Sequence, residues 1–223
     1  MSRQQLLRLA LPLVVVGAAG LALAATTTFT EAFNAGHGWT YTQLTCPSAG
    51  CSNTASVTTD GNPANSVSAT VTGNGGVQTG YFKKAFTWEQ LGVSIGDTIT
   101  SVDGKWDAKN ARGTDCVSGS TMGMQIFDSA NTTEVTAAAL EPLIDVNGDA
   151  AWTTHDGSAA VSVVSSSASG NTVTLRFNVN PKGKGNSNPT CELRGDNFTL
   201  TIVTGRHQVI TSQLRLPEAF SVR

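Results

Sequence analysis

The sequence predicts an all-β chain: a two-layer antiparallel β-sandwich carrying one or two short helical turns. Three observations lead there. Apolar residues recur at every second position in several stretches, which is the period of a strand buried on one face. Clusters of Gly, Asn, Asp and Pro punctuate those stretches. The 223 residues are 39% hydrophobic but only 13% charged, roughly half the usual charged share. Thirty Thr and twenty Ser stand in for the missing charges.

Residues 1–24 read as a secretory signal peptide. Arg3 and Arg8 form the positive start, residues 9–23 are apolar apart from small glycines, and Ala22-Leu23-Ala24 gives the small-x-small pattern for a cut near Ala24/Ala25. The apolar run is shorter than the ~20 residues that cross a bilayer. Removal leaves 12 basic and 16 acidic residues, a net charge of -4. No later segment is apolar enough to span, so no membrane contact is expected after cleavage. A nucleic-acid partner is not expected either, because phosphates call for a basic face. The expected product is secreted or cell-surface: one sandwich domain over 25–204, then a tail or extra edge strand over 205–223.

The clearest strands alternate apolar and polar side chains. Val67, Ala69 and Val71 interleave with Ser and Thr. Met122, Met124 and Ile126 interleave with Gly123 and Gln125. Val173, Leu175, Phe177 and Val179 interleave with Thr172, Thr174, Arg176 and Asn178, and Phe198, Leu200 and Ile202 with Thr199 and Thr201. Weaker strands fall at 27–33, 39–44, 81–86, 98–102 and 159–164. Turn signals include Asp60-Gly61-Asn62-Pro63, Asp103-Gly104 and Asn147-Gly148. One helical turn is expected at 87–92, with Thr87 as N-cap, Gln90 three residues on and Gly92 as stop. Residues 133–143 fit a second short helix or an edge strand equally well. Eight to ten strands with one-sided burial are most simply satisfied by two packed antiparallel sheets.

The four cysteines, Cys46, Cys51, Cys116 and Cys191, are expected as disulfides in an exported chain. The loop Cys46-Pro-Ser-Ala-Gly-Cys51 suits a local bridge, which leaves Cys116 and Cys191 to join distant segments at about 4–5 kcal/mol in the loop-entropy model. The spacings do not match paired zinc knuckles.

Three phrases carry a resemblance. They are Phe29-Thr30-Glu31-Ala32-Phe33-Asn34 before Gly38-Trp39, Gly61-Asn62-Pro63 before residues 66–72, and Gly195-Asp196-Asn197-Phe198-Thr199-Leu200. They resemble the first strand, the turn into the second strand and the closing strand of the galactose-binding-like jelly-roll superfamily. That superfamily includes many carbohydrate-binding modules of secreted bacterial enzymes. The resemblance implies a jelly-roll winding of the sandwich and a binding rather than a catalytic role. It also implies a structural calcium held by an acid of the last strand, here Asp196. The first-strand position holds Asn34 where Glu is common.

A second calcium arrangement is suggested by spacing. Asp145, Asn147 and Asp149 stand at positions one, three and five of an EF-type loop, with Thr153 at nine and Asp156 at twelve. Ala150 replaces the sharp-turn Gly, and the following residues read as a strand, so a polar hairpin loop of Asx turns is the competing reading. Asp145, Asn147, Asp149, Asp156 and Asp196 are therefore the candidate Ca2+ ligands.

Sugar binding needs a flat apolar ring face and nearby hydrogen-bonding groups. Trp39 is expected in the core. Trp106, among polar neighbours at an expected strand end, and Trp152, in the polar loop, are the candidate stacking rings. Asp107, Asn110, Arg112 and Gln125 are the candidate hydrogen-bonding residues. No acid lies in a recognisable catalytic phrase, and no Gly-x-Ser-x-Gly elbow or phosphate loop is present. The expected function is a secreted, non-enzymatic sandwich that binds a glycan or cell-surface ligand. The alternative is a structural coat or fibre subunit that self-associates through edge strands or the tail. A secreted hydrolase or lyase is the third reading.

Overall fold

The computed structural model describes residues 23–31, 33, 38–46, 50–57, 60–61, 65–73, 75–94, 96–134, 143–164, 172–185 and 189–206. Most of the expected leader, residues 135–142 and the tail from residue 207 lie outside the described residues.

Among the described residues, eleven strands run in chain order: β1 (Leu23–Glu31), β2 (Thr40–Thr45), β3 (Cys51–Val57), β4 (Ser66–Thr72), β5 (Thr79–Thr87), β6 (Thr98–Asn110), β7 (Thr121–Phe127), β8 (Ile144–Asp145), β9 (Thr153–Val164), β10 (Thr172–Asn180) and β11 (Thr190–Arg206). Sheet A has the order β3-β4-β11-β6-β9, and β1 pairs with β11 beyond the end of β4; sheet B has the order β2-β5-β10-β7-β8. Every pairing among the described strands is antiparallel. From β4 to β7, and again from β9 to β11, successive strands alternate between layers, which is the winding of a jelly roll.

The alternating rows face one another across the sandwich. Val67, Ala69 and Val71, then Leu193, Phe198, Leu200 and Ile202, meet Met122, Met124, Ile126, Leu175 and Phe177, all buried. An aromatic chain links the layers: Phe33 lies 5.2 Å from Trp39, Trp39 lies 5.6 Å from Phe198, and Phe198 lies 5.8 Å from Phe177. Gly195 is required where β11 crosses this cluster, because a Cβ there would overlap the Phe177 ring and the Met122 methyl. Just beyond it the β11–β6 register slips between Asp196 and Thr199, with Asn197 at φ 51°. This bulge turns Phe198 back into the core.

The helical turn at 87–92 forms as expected. The Gln90 amide N–H donates to Thr87 Oγ1 (3.2 Å), the Thr87 N–H donates to Gln90 Oε1 (2.8 Å), and Gly92 closes the turn at φ 80°. A 3-10 turn occupies Gly113–Asp115. Two expectations are corrected. Asp103-Gly104 is not a turn: it lies inside the thirteen-residue β6, with Gly104 between Leu200 and Gly157. The stretch 153–156 is not loop: it opens β9.

The cysteines pair as the loop lengths suggest, Cys46 with Cys51 and Cys116 with Cys191. The first bridge joins the end of β2 to the start of β3, and so sheet B to sheet A. The second ties the β6–β7 crossover to β11.

Candidate functional site

The expected sugar-binding residues do not form one surface. Trp106 is 0% exposed. Once β6 extends past Asp103-Gly104, Val102, Gly104, Trp106 and Ala108 become its inward row and Asp103, Lys105 and Asp107 its outward row. The polar neighbours of Trp106 therefore describe the other face of the strand. Its ring lies 6.4 Å from that of Phe177, and it cannot stack on a sugar. Asp107 faces outward but is buried, accepting hydrogen bonds from Thr154 Oγ1 (2.6 Å) and Asn197 Nδ2 (2.7 Å). Asn110 is buried at the strand end, donating to the carbonyls of Gly113 and Asn147 and accepting the Arg112 N–H. Arg112 is exposed and pairs with Glu192 at 3.4 Å. Trp152 is half-buried, and its Nε1 donates to Asp60 Oδ1 (3.2 Å). Gln125 lies on β7, in the other sheet.

The candidate calcium ligands are likewise not brought together. Asp145 Oδ2 accepts the Gly119 N–H and the Ser118 hydroxyl, and its Oδ1 accepts the Asn147 N–H. Those contacts hold its carboxyl below the usual carboxylate range although burial opposes them. Asp149 is engaged by His155 Nε2 at 2.6 Å. Asp156 lies in β9 opposite Lys105, and Asp196 lies in β11 opposite Asp107. Among the described residues, no group of three His, Cys, Asp or Glu side chains is arranged to hold a metal ion. The spacing of an EF-type loop is present, but the backbone sends its oxygens to separate partners, so this donor set does not fit calcium.

On the outer face of sheet A, Asp60 gathers Arg194 (2.6 Å), Lys109 (3.0 Å) and the Trp152 N–H. Arg194 also pairs with Glu192 at 2.7 Å. Burial disfavours the Asp60 charge, yet these cations and donors together keep its carboxyl below the usual range. The network pins the turn after β3 to the sheet, and each charge in it is already paired.

The outer face of sheet B is different: of the residues expected to bind sugar it holds Gln125 alone, and sequence reasoning missed the rest of it. Arg176 points outward from the middle strand β10. Its guanidinium carbon lies 4.2 Å from the Tyr81 ring centroid and 3.3 Å from that of Phe127. Such stacking suits the flat guanidinium and would not suit Lys. Arg176 Nε donates to Asn131 Oδ1 (2.6 Å) and Nη2 donates to the Asn131 carbonyl, while Asn131 Nδ2 donates to Tyr81 Oη (3.1 Å). Asn131 can do this because the loop after β7 puts it at φ 59°, and Asp128 fixes that loop by accepting the Thr132 and Thr133 N–H groups. Further along the face, Asn178 Nδ2 donates to Gln125 Oε1 (2.9 Å), Gln125 Nε2 donates to Glu134 (3.2 Å), and Asn180 Nδ2 donates to Thr121 (3.3 Å). Beside Arg176 opens a pocket of about 310 Å3, lined by Thr40, Lys83, Lys84, Thr174 and residues 129–131 among others. One signal was available in the sequence: the outward row of β10 carries Arg and Asn among its Thr residues. The aromatic partners come from β5 and β7, and that adjacency exists only in the sheet register.

No protein-family model and no curated protein matches the chain. Among solved structures it is similar to the enzymatically active domain of tailspike protein 4 of bacteriophage CBA120, at 13% identity and TM-score 0.36 over 73% of this chain, which spans only 19% of that one. It is similar to a CBM4 structure at 12% identity and TM-score 0.37, over 73% of this chain and 93% of that one. It is also similar to the K3 cleaved adhesin domain of Lys-gingipain from Porphyromonas gingivalis W83, at 13% identity and TM-score 0.38, over 80% of this chain and 98% of that one.

Proposed function

We propose that this chain is an exported, non-catalytic β-sandwich domain that binds a carbohydrate on the outer face of sheet B. The observation that carries the reading is that face itself. Asn131 and Gln125 flank a ring-stacked guanidinium, Asn178 and Asn180 continue the row of amides along β10, and a pocket lined by Asn131 and Thr174 opens beside them. Neutral side chains that both donate and accept match the hydroxyls of a sugar, and convergent polar groups on a preformed surface are what fix a small ligand. The galactose-binding-like phrases of the sequence point the same way, and two disulfides suit an oxidising compartment.

A hydrolase reading would centre on Asp103 and Asp156, which share a depression of about 410 Å3 with Lys105 and Gly157. A self-assembly reading draws on β9, a twelve-residue strand that ends the path of sheet A and has no outer partner among the described residues. One experiment ranks the three. The purified protein is applied to a glycan array with calcium and with chelator, released sugar is assayed, and the same sample is sedimented. The proposal expects retention that ignores chelator, falls at least tenfold in Arg176→Lys, and releases no product. Retention on no glycan together with concentration-dependent assembly would favour the structural subunit.

A further inference from the structure

We infer that the pocket at Lys83 receives the carboxylate of an acidic sugar, so that the ligand of the sheet B face is an anionic glycan. The inference rests on that face being the binding site and adds the class of ligand.

Lys83 on β5 stands directly opposite Arg176 on β10, and both side chains leave the outer side of the sheet. Like charges directly opposite one another on a sheet are unfavourable. In a chain with so few charges, a cation pair on one face is an uncommon expense. The neighbouring acids compensate Arg176, and none of them lines the pocket at Lys83. Lys84 lines the same pocket but is committed to Glu31 at 3.1 Å and lies 4.9 Å from the Phe86 ring. Asp128 spends its carboxylate on the Thr132 and Thr133 amides and the Thr132 hydroxyl. Glu134 is hydrogen-bonded by Gln125. Both acids act on Arg176 from a distance, but neither lines the pocket. The Lys83 side chain makes no hydrogen bond or ion pair with a described residue.

The geometry then selects the ligand. Arg176 is held flat by two rings and its Nε and Nη2 are occupied by Asn131, so it is a fixed positive charge beside the pocket and not part of its lining. Lys83 is a mobile point charge on the adjacent strand, the group free to close on an anion. The buried Thr174 and the exposed Ser129 and Ala130 also line the pocket. At about 310 Å3 the pocket is at the small end for ligand sites. It suits one sugar residue of a chain, with its carboxylate toward Lys83 and its hydroxyls toward Thr174. A charge-assisted hydrogen bond of this kind contributes about tenfold or more in affinity.

The test compares matched probes. The full protein is run by affinity electrophoresis and calorimetry on polygalacturonate and its methyl ester, and on glucuronoxylan and its carboxyl-reduced form. Lys83→Gln is the test variant. Lys105→Gln, on the outer face of sheet A, controls for net charge, and melting curves confirm that both fold. The expected result is at least tenfold preference for the acidic member of a pair, lost in Lys83→Gln and kept in Lys105→Gln. Preference for the neutral member, or acidic binding untouched by Lys83→Gln, would overturn the inference. Retention only on neutral glycans would also overturn it while leaving the proposed function standing. Retention on no glycan would overturn both.

Discussion

Removing the Cys116–Cys191 bridge should cost much more stability than removing Cys46–Cys51. The perturbations are the double variants Cys116→Ala/Cys191→Ala and Cys46→Ala/Cys51→Ala. The bridged residues are 75 and 5 apart in sequence. In the loop-entropy model those closures restrict the unfolded chain by about 4.5 and about 2 kcal/mol at 25 °C. Burial widens the gap. Cys191 is 0% and Cys116 4% exposed, within the core, whereas Cys46 is exposed at the rim. For a domain of this size each kcal/mol moves Tm by about 2–4 °C. Calorimetry under oxidising conditions should therefore show falls of roughly 9–18 °C and 4–8 °C. Equal falls, or a larger fall for the Cys46–Cys51 pair, would refute the claim that the long bridge locks the β6–β7 crossover onto β11.

Three further predictions follow from burial and charge. Trp106→Ala should destabilise by about 3–5 kcal/mol, as expected for a fully buried aromatic, while Trp152→Ala should cost about 1 kcal/mol, the scale of its hydrogen bond to Asp60. Chemical denaturation separates the two. Asp60 has a folded pKa below its unfolded value, so its contribution is present above about pH 4 and is lost as pH falls through the folded value. Asp60→Asn should be less stable than the parent at pH 7, and urea titrations should show that gap closing on acidification; a gap constant down to pH 2 would contradict the network. Burial pushes the Tyr41 phenol up to about 12, the nearby Gln78 amide pulling the other way. The folded state thus holds this proton more tightly, and stability should decline from pH 10 upward. Absorbance titration should show one of the two tyrosines ionising only near pH 12.

Much of the architecture was readable because the strongest strands carry their apolar row on one face only. The rows at 67–71, 122–126, 173–179 and 198–202 announce themselves by period, and the capping pair Thr87 and Gln90 by spacing. The failures share a physical cause. Asp103-Gly104 has the composition of a turn, but the glycine serves the interior of β6. Reading it as a turn ended the strand too early and made the polar neighbours of Trp106 look like a loop, when they were the opposite face. The acids from Asp145 to Asp156 have the spacing of an ion loop, yet whether oxygens converge depends on backbone direction, and β9 had already begun at Thr153. The sheet B face was the least legible feature. Tyr81, Phe127, Asn131 and Arg176 are separated by many residues, and only the β5-β10-β7 order brings them together.

The most direct measurement of the central claim is a side-by-side comparison of two variants on the best-retained glycan. Gln125→Ala removes a hydrogen-bonding group from the outer face of sheet B. Trp152→Ala removes the half-buried ring associated with the outer face of sheet A. If sheet B carries the site, Gln125→Ala weakens binding by several-fold to tenfold and Trp152→Ala leaves it unchanged. Loss of binding in Trp152→Ala with full retention in Gln125→Ala would contradict the account.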